Sequence, residues 1–306
     1  MLALLLVAAA PAAEASLTDL LAQDVRVAAI GDRLARHGPC DGWLSNPGII
    51  IQDPDQYAAA LRPAARAALG LKDGPTIVAV LPGSEAAAAG LAPGDELLAV
   101  DAAPVPPAAA GRSFARVGAT EALVEQGLAD GDGVTLRIRR DGTEREIAVA
   151  SRRGCASRFQ LLPGRRLNAS ADGTYVQVSG ALAEFAAEDD ALAVIIAHEL
   201  AHNILGHKAR LDAAGVSRGL LAGFGRNRNR IRATELEADR WALYLMARAG
   251  FRYDQAPAFW ARFGRRTDPG IFADGTHAGW RERVARAEAE IARIRAQQEA
   301  GTEPTP

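Results

Sequence analysis

Apolar side chains recur at intervals of three and four residues in two long stretches, a spacing that gathers them on one face of an α-helix. In 16–36 the recurring residues are Leu17, Leu20, Leu21, Val25 and Ala28. In 190–211 they are Leu192, Ile195, Ile196, Leu200 and Leu205. We predict helices over both stretches. Further helices are predicted over 56–68, over 280–295 and over 231–249, which Gly250 ends as a C-cap.

Between 76 and 149 the pattern changes to short apolar runs separated by turn residues. The predicted strands cover 76–81, 96–100, 134–140 and 144–149. Asp141-Gly142, between the last two runs, is a strong hairpin signal. The stretch 37–54 is rich in Gly, Pro, Asp and Asn and is predicted to be a loop.

The order of turn residues in this β-rich part resembles a PDZ domain of the bacterial protease type. The resemblance rests on Pro82-Gly83-Ser84 and on Gly90-Leu91-Ala92-Pro93-Gly94-Asp95, and it covers 67–150. It implies that Leu69, Gly70 and Leu71 form a loop that receives the C-terminal carboxylate of a peptide, which adds as an extra strand beside that loop. The alternative is a PDZ-shaped spacer that binds no ligand. The Pro- and Ala-rich stretch 102–111 departs from the family pattern.

An apolar run over 2–10, followed by Pro11 and the small-x-small triplet Ala13-Glu14-Ala15, is typical of a secretory signal peptide. We therefore predict a signal peptide over 1–15 and export, with the periplasm as the compartment, or a membrane tether if the segment is not cleaved. The alternative is an Ala-rich first helix. An N-terminal helical segment and loop over 16–66 would follow.

Composition and cysteine content narrow the class of protein. The 306 residues are 49% hydrophobic and 24% charged with a net charge of −2, which excludes a disordered chain and makes a broad nucleic-acid surface improbable. No apolar run approaches the length of a transmembrane helix. In an oxidising compartment Cys40 and Cys155 are expected to form a disulfide. The alternative is two unrelated buried thiols.

The motif His198-Glu199-Leu200-Ala201-His202 lies within the predicted helix over 190–211. Its two histidines are one helical turn apart and can reach one metal ion, while Glu199 is angled toward the attacking water. A catalytic zinc site needs a third protein ligand. Glu235 and Asp239, four residues apart on the next predicted helix, supply a ligand and an acceptor for the outer nitrogen of a liganding histidine. The alternative is two surface histidines on an ordinary helix.

These motifs, with Asn168-Ala169 and the segment 173–180, resemble peptidase family M48, the gluzincins, over 155–296. The soluble exported branch, which is BepA- and Oma-like, fits best. The resemblance implies an α+β fold: a mainly helical gluzincin-type zinc peptidase domain over 151–296 with a small edge-exposed sheet, plus the β-rich PDZ-like domain. The strand before the zinc helix is then an exposed edge that pairs with extended substrate. The matching residues are Thr174, Tyr175, Val176, Gln177, Val178 and Ser179.

The remaining histidines divide into one candidate and two structural residues. By resemblance, His277 approaches the metal as a fourth ligand or donates to the oxyanion; the alternative is a histidine that caps the last helix. His207 lies about 140° round the helix from His202, so we expect it to miss the ion. His37 is also interpreted as structural. The segment 215–230 is expected to be a mobile basic flap or a plain surface loop, and 297–306 a disordered tail.

The resulting hypothesis is a zinc endopeptidase of the cell envelope, engaged in protein quality control, that acts on protein or peptide substrates with one Zn²⁺ per chain. Zinc on His198, His202 and Glu235 makes water acidic near neutral pH, and Glu199 is the general base. Two alternatives remain. One is a PDZ-based binding or chaperone module with a structural or gated metal site. The other is a zinc hydrolase acting on a non-peptide amide.

Overall fold

The computed structural model describes residues 2–108, 110–216, 225–267 and 279–306, without side chains for 2–12 and 225–226. The chain forms two compact units. One comprises 1–29 and 41–154, and the other comprises 30–40 and 155–306. Helix α1, Leu2–His37, contributes residues to both units and runs without a break past the predicted cleavage site. Among the described residues, no helix combines the length and hydrophobicity needed to cross a membrane.

The first unit is built on one sheet. Its strands are β1 (Ile49–Gln52), β2 (Thr76–Val80), β3 (Glu96–Val100), β4 (Ala103–Pro104), β5 (Val134–Arg140) and β6 (Thr143–Val149). Its helices after α1 are α2 (Arg62–Leu69), α3 (Glu85–Ala88) and α4 (Ala115–Ala129). The strand order is β1-β2-β3-β5-β6, all antiparallel, with β4 paired to β3.

Local sequence explains most of this unit. The predicted Asp141-Gly142 turn joins β5 to β6, and the Ser84 side chain accepts a hydrogen bond from the Ala87 amide to cap α3. One face of the sheet and α4 enclose a core that includes Ile77, Leu97 and Leu136, each no more than 1% exposed. Strand β1 lies inside the stretch predicted to be a loop, so that prediction is wrong there.

In its described residues, the second unit combines a small sheet with six helices besides the end of α1. The strands are β7 (Arg158–Leu162), β8 (Ala169–Ala171) and β9 (Tyr175–Ser179). The helices are α5 (Gly180–Phe185), α6 (Asp189–Ile204), α7 (His207–Ala213), α8 (Gly225–Arg248), α9 (Ala256–Thr267) and α10 (Trp280–Glu299). Helix α6 is the centre of this unit, with residues 191–198 all buried. The structure confirms an α+β fold.

Two predicted features of the second unit are present in the structure. The sulfurs of Cys40 and Cys155 are bonded, and the Cys155 amide also donates to the Ala35 carbonyl at 2.9 Å. Gly250 ends α8, since the amides of Gly250 and Phe251 donate back to the last turn of that helix.

The end of the chain differs from the disorder expected over 297–306. Residues 297–299 belong to α10. The Thr305 amide donates to the Gln297 side chain at 3.0 Å, and Arg248 forms an ion pair with Glu303 at 2.8 Å. Charge and hydrogen bonding therefore hold this polar segment against the second unit.

Candidate metal centre

Helix α6 presents two imidazoles toward one point. His198 and His202 lie one turn apart, and their Nε2 atoms are separated by 3.2 Å. His198 is 5% exposed because α6 is surrounded by other elements. Two unprotonated ring nitrogens at this distance repel each other unless a proton or a cation lies between them.

Helix α8 brings Glu235 to the same point. Its Oε2 lies 3.5 Å from His198 Nε2, and its Oε1 lies 3.5 Å from His202 Nε2. A tetrahedral zinc ion with bonds of about 2.0–2.1 Å separates its ligand atoms by about 3.3–3.4 Å. The three distances therefore fit one such ion, and these three residues form a cluster that could hold a metal. The structure places the three predicted ligands together.

The outer nitrogen of His198 is held by a charged pair. His198 Nδ1 lies 2.9 Å from Asp239 Oδ1. Asp239 in turn accepts hydrogen bonds from Arg283 on α10, one of them at 2.7 Å. The Arg283 guanidinium also lies over the Trp260 ring, 3.3 Å from its centroid. Asp239 therefore lies where an acceptor for the outer nitrogen of His198 was predicted, while no role was predicted for Arg283 or Trp260.

The outer nitrogen of His202 meets a different partner. His202 Nδ1 lies 2.8 Å from Nδ1 of His207, which is 1% exposed. His207 Nε2 lies 3.1 Å from Glu237 Oε2, and Arg210 donates to that same oxygen at 3.0 Å. His207 avoids the metal position, as expected, but it contacts a ligand. This contact could not be expected from one continuous helix over 190–211. It forms because the chain turns at Gly206, between α6 and α7.

Burial, hydrogen bonds and neighbouring charges shift the pKa values of the site residues, some upward and some downward. Burial disfavours the charged form of His198, but hydrogen bonds to Asp239 and Glu235 outweigh it and raise the pKa to about 10. Burial and then the charge of His198 lower the pKa of His202 to about 3. Burial opposes ionisation of Asp239, yet Arg283 and His198 lower its pKa to about 2. Burial also lowers the pKa of His207. One proton is therefore held at His198, where a cation would replace it.

The structure describes the predicted general base by its place on α6 and by its exposure. Glu199 follows His198 on α6 and is partly exposed, in contrast to its buried neighbours. His277 lies outside the described residues, so its approach to the metal stays a prediction. Half of the predicted flap, residues 217–224, also lies outside them, and residues 225–230 belong to α8.

The predicted substrate-binding edge is wrong for Thr174–Ser179. Strand β9 is the central strand of its sheet, because it pairs with β7 in parallel and with β8 in antiparallel fashion. Val176 and Val178 are fully buried, and the Ser179 side chain caps α5 by accepting from the Leu182 amide. The sequence pattern identified a strand but could not show that Ala169–Ala171 adds outside it.

The structure places the predicted peptide-binding loop of the first unit at the end of α2. Gly70 ends α2, while Leu69 and Leu71 are buried with Val78 in a small core. Strand β2, which follows, is paired on both sides, with β1 and with β3. On the β1 side of β2 an added peptide strand therefore has no place, because β1 pairs with β2 over Thr76–Val80, whereas β3 pairs with β2 at Thr76.

Comparison with known proteins agrees with the chemistry of the second unit. The model of peptidase family M48, a family of zinc metallopeptidases, matches residues 145–231. The matched segment includes His198, Glu199 and His202 and ends before Glu235. The match supports a proteolytic function of the metallopeptidase type. No curated protein sequence matches the chain.

Proposed function

We propose that this protein is a zinc-dependent endopeptidase. The observation that carries the proposal is the convergence of His198, His202 and Glu235 from two helices, with ligand atoms 3.2–3.5 Å apart. Two imidazole nitrogens and a carboxylate oxygen are the donors of a catalytic zinc site, in which the fourth position is left for water or substrate. Glu235 lies outside the segment that matches the family, so its place in the site is supported by geometry rather than by the match.

Bound zinc supplies Lewis acidity, which polarises the scissile carbonyl and makes a water acidic near neutral pH. Glu199 accepts a proton from the attacking water as the water oxygen bonds to the carbonyl carbon. The same carboxyl group then gives that proton to the amide nitrogen as the C–N bond breaks, so the products are a carboxylic acid and an amine. Asp239 accepts the Nδ1 proton of His198 and keeps its Nε2 available as a ligand.

Extended substrate is proposed to pair with β8 rather than with β9. The carbonyl of Asn168 and the amide of Asp172 bond to β9, so in an antiparallel pair the main-chain groups of Ala169 and Ala171 point to the other side. Among the described residues that side of β8 has no strand partner. An edge strand of this kind binds extended peptide through main-chain hydrogen bonds, which suits an endopeptidase of broad sequence tolerance.

Export to the cell envelope, with a role in protein quality control, belongs to the same proposal. The Cys40–Cys155 disulfide supports an oxidising compartment. The first unit is proposed to bind peptide termini in the manner of a PDZ domain. Among the described strands of its sheet, β1, β4 and β6 each have one neighbour, so an added peptide strand would pair with one of these.

The decisive experiment combines metal analysis with a cleavage assay on a disordered protein substrate. We expect zinc near one per chain, cleavage that a chelator stops, and recovery when zinc is restored. The Glu199→Gln variant should retain zinc and lose cleavage, since only the proton carrier is removed. Substantial cleavage by Glu199→Gln contradicts the assigned base. Equal substrate binding by wild type and His198→Ala, with no cleavage by either, favours the binding-module alternative.

A further inference from the structure

The two histidines of the metal centre are supported by two different chains of hydrogen bonds. His198 reaches a carboxylate directly, at Asp239. His202 reaches one through a second imidazole, because His207 lies between it and Glu237. Each chain ends at an arginine, Arg283 in the first case and Arg210 in the second.

The contact between His207 and His202 depends on a break in the helix at Gly206. On a continuous helix the two side chains would point about 140° apart. Gly206 interrupts the helix with φ of +60° and ψ of 32°, a left-handed conformation that glycine adopts at little cost. Helix α7 then begins at His207, and its imidazole packs edge-on against that of His202 with centroids 4.8 Å apart.

The short distance between the two Nδ1 atoms fixes where the protons lie. If His202 binds a metal through Nε2, its Nδ1 carries the only proton of the ring and donates to His207. His207 Nδ1 must then be unprotonated, so its proton is on Nε2 and is donated to Glu237. Arg210 compensates the charge of Glu237. Each donor in the chain has one acceptor, and only one arrangement of tautomers satisfies all of them.

We propose that His207 and Glu237 are positioning residues that fix the metal-binding tautomer and the ring orientation of His202. This inference rests on the proposed zinc site. Without Glu237, His207 is free to carry its proton on Nδ1. That proton is then donated to His202 Nδ1 and moves the proton of His202 to Nε2, the ligand atom. The relay therefore acts by excluding the tautomer that cannot bind zinc.

The test measures zinc affinity by competition with a chromogenic chelator, together with kcat and KM. Glu237 is 38% exposed, so its substitution leaves the core intact. Glu237→Leu removes the acceptor and should weaken zinc binding about tenfold, whereas Glu237→Gln keeps an acceptor oxygen and should stay within about threefold of wild type. The matched control is Asp212→Leu, which breaks an exposed ion pair with Lys208 on α7. Zinc affinity, kcat and KM should stay at their wild-type values in this variant.

His207 itself gives the larger effect. His207→Phe keeps a ring in the buried site and removes both nitrogens, and we expect zinc affinity to fall by about 10–100-fold. His207→Asn restores an acceptor near the Nδ1 position and should recover part of that loss. At saturating zinc the variants should lower kcat with little change in KM, because substrate contacts are untouched. If His207→Phe does not fold, the Glu237 series decides the question.

The outcomes separate this inference from the proposed function. If the wild-type protein neither binds zinc nor cleaves substrate, the proposed zinc site itself is wrong. A wild-type protein that does both, with Glu237→Leu matching Glu237→Gln in zinc affinity, overturns the relay alone. Equal losses in Glu237→Leu and Asp212→Leu also overturn it, because they would reflect the packing of α7.

Discussion

Removal of the Cys40–Cys155 disulfide should lower the free energy of unfolding, by an amount that depends on whether the two units unfold together or separately. The bond closes a loop with a sequence separation of 115, and both cysteines belong to the second unit, while residues 41–154 of the first unit lie within the loop. If both units unfold together, the chain-entropy relation gives a stabilisation of about 5 kcal/mol for a loop of this length.

The stabilisation is smaller if the first unit remains folded. In that unit the Gly154 amide donates to the Gly42 carbonyl at 3.1 Å, and Trp43 and Arg153 form an isolated bridge. These contacts hold the ends of the loop close together, so that only about five residues remain to be closed, which corresponds to about 2 kcal/mol. The first unit has a hydrophobic core of its own. We therefore expect the smaller value.

The perturbation is the double variant Cys40→Ala/Cys155→Ala, since alanine leaves no buried polar group at Cys155. Native-state hydrogen exchange in increasing urea measures the opening free energy of each unit separately, at α6 and at the β5–β6 hairpin. We expect a loss of about 2 kcal/mol at α6 and none at the hairpin. Equal losses of about 5 kcal/mol refute the independent folding of the first unit. If the opening free energy at α6 does not change, the argument that the disulfide stabilises the second unit by closing a loop is refuted.

Three further predictions concern the metal centre and the edge strand β8. Asp239→Asn should weaken zinc binding by about 10–100-fold in chelator competition, because the His198 tautomer loses its anionic acceptor; unchanged affinity would contradict this role. Since the pKa of His198 is raised to about 10, its proton must leave when zinc binds, so zinc affinity should rise about tenfold per pH unit from pH 7 to 9; a flat profile is the contrary result. Ala171→Pro removes an outward amide of β8 without breaking a bond to β9, and should raise KM several-fold at unchanged zinc content, in contrast to a control at exposed Ser170 such as Ser170→Ala.

Local signals in the sequence predicted those features that depend on a few neighbouring residues. The hairpin at Asp141-Gly142, the cap at Gly250 and the spacing of His198 and His202 are all of this kind. Glu235 could also be predicted, since the chemistry of zinc requires a third ligand and few acidic residues follow on a helix.

Features that depend on distant pairing could not be predicted in the same way. The order of strands in a sheet is set by long-range packing, so the sequence did not show that β8 lies outside β9 or that β1 covers β2. The contact between His207 and His202 was missed because one residue, Gly206, changes the direction of the helix. Helical periodicity alone carries no information about such a turn.

Helix α8 supplies three acidic residues at alternate positions, and each has a separate task in the proposed metal site. Glu235 faces the metal position, Glu237 supports His202 through His207, and Asp239 supports His198. Inserting or deleting one residue before Glu235 would turn all three by about 100° relative to α6. The three tasks would then fail at once. Length changes in this part of α8 should therefore be far less tolerated than substitutions, and an inserted alanine would be a more complete inactivator than any point variant of these acids.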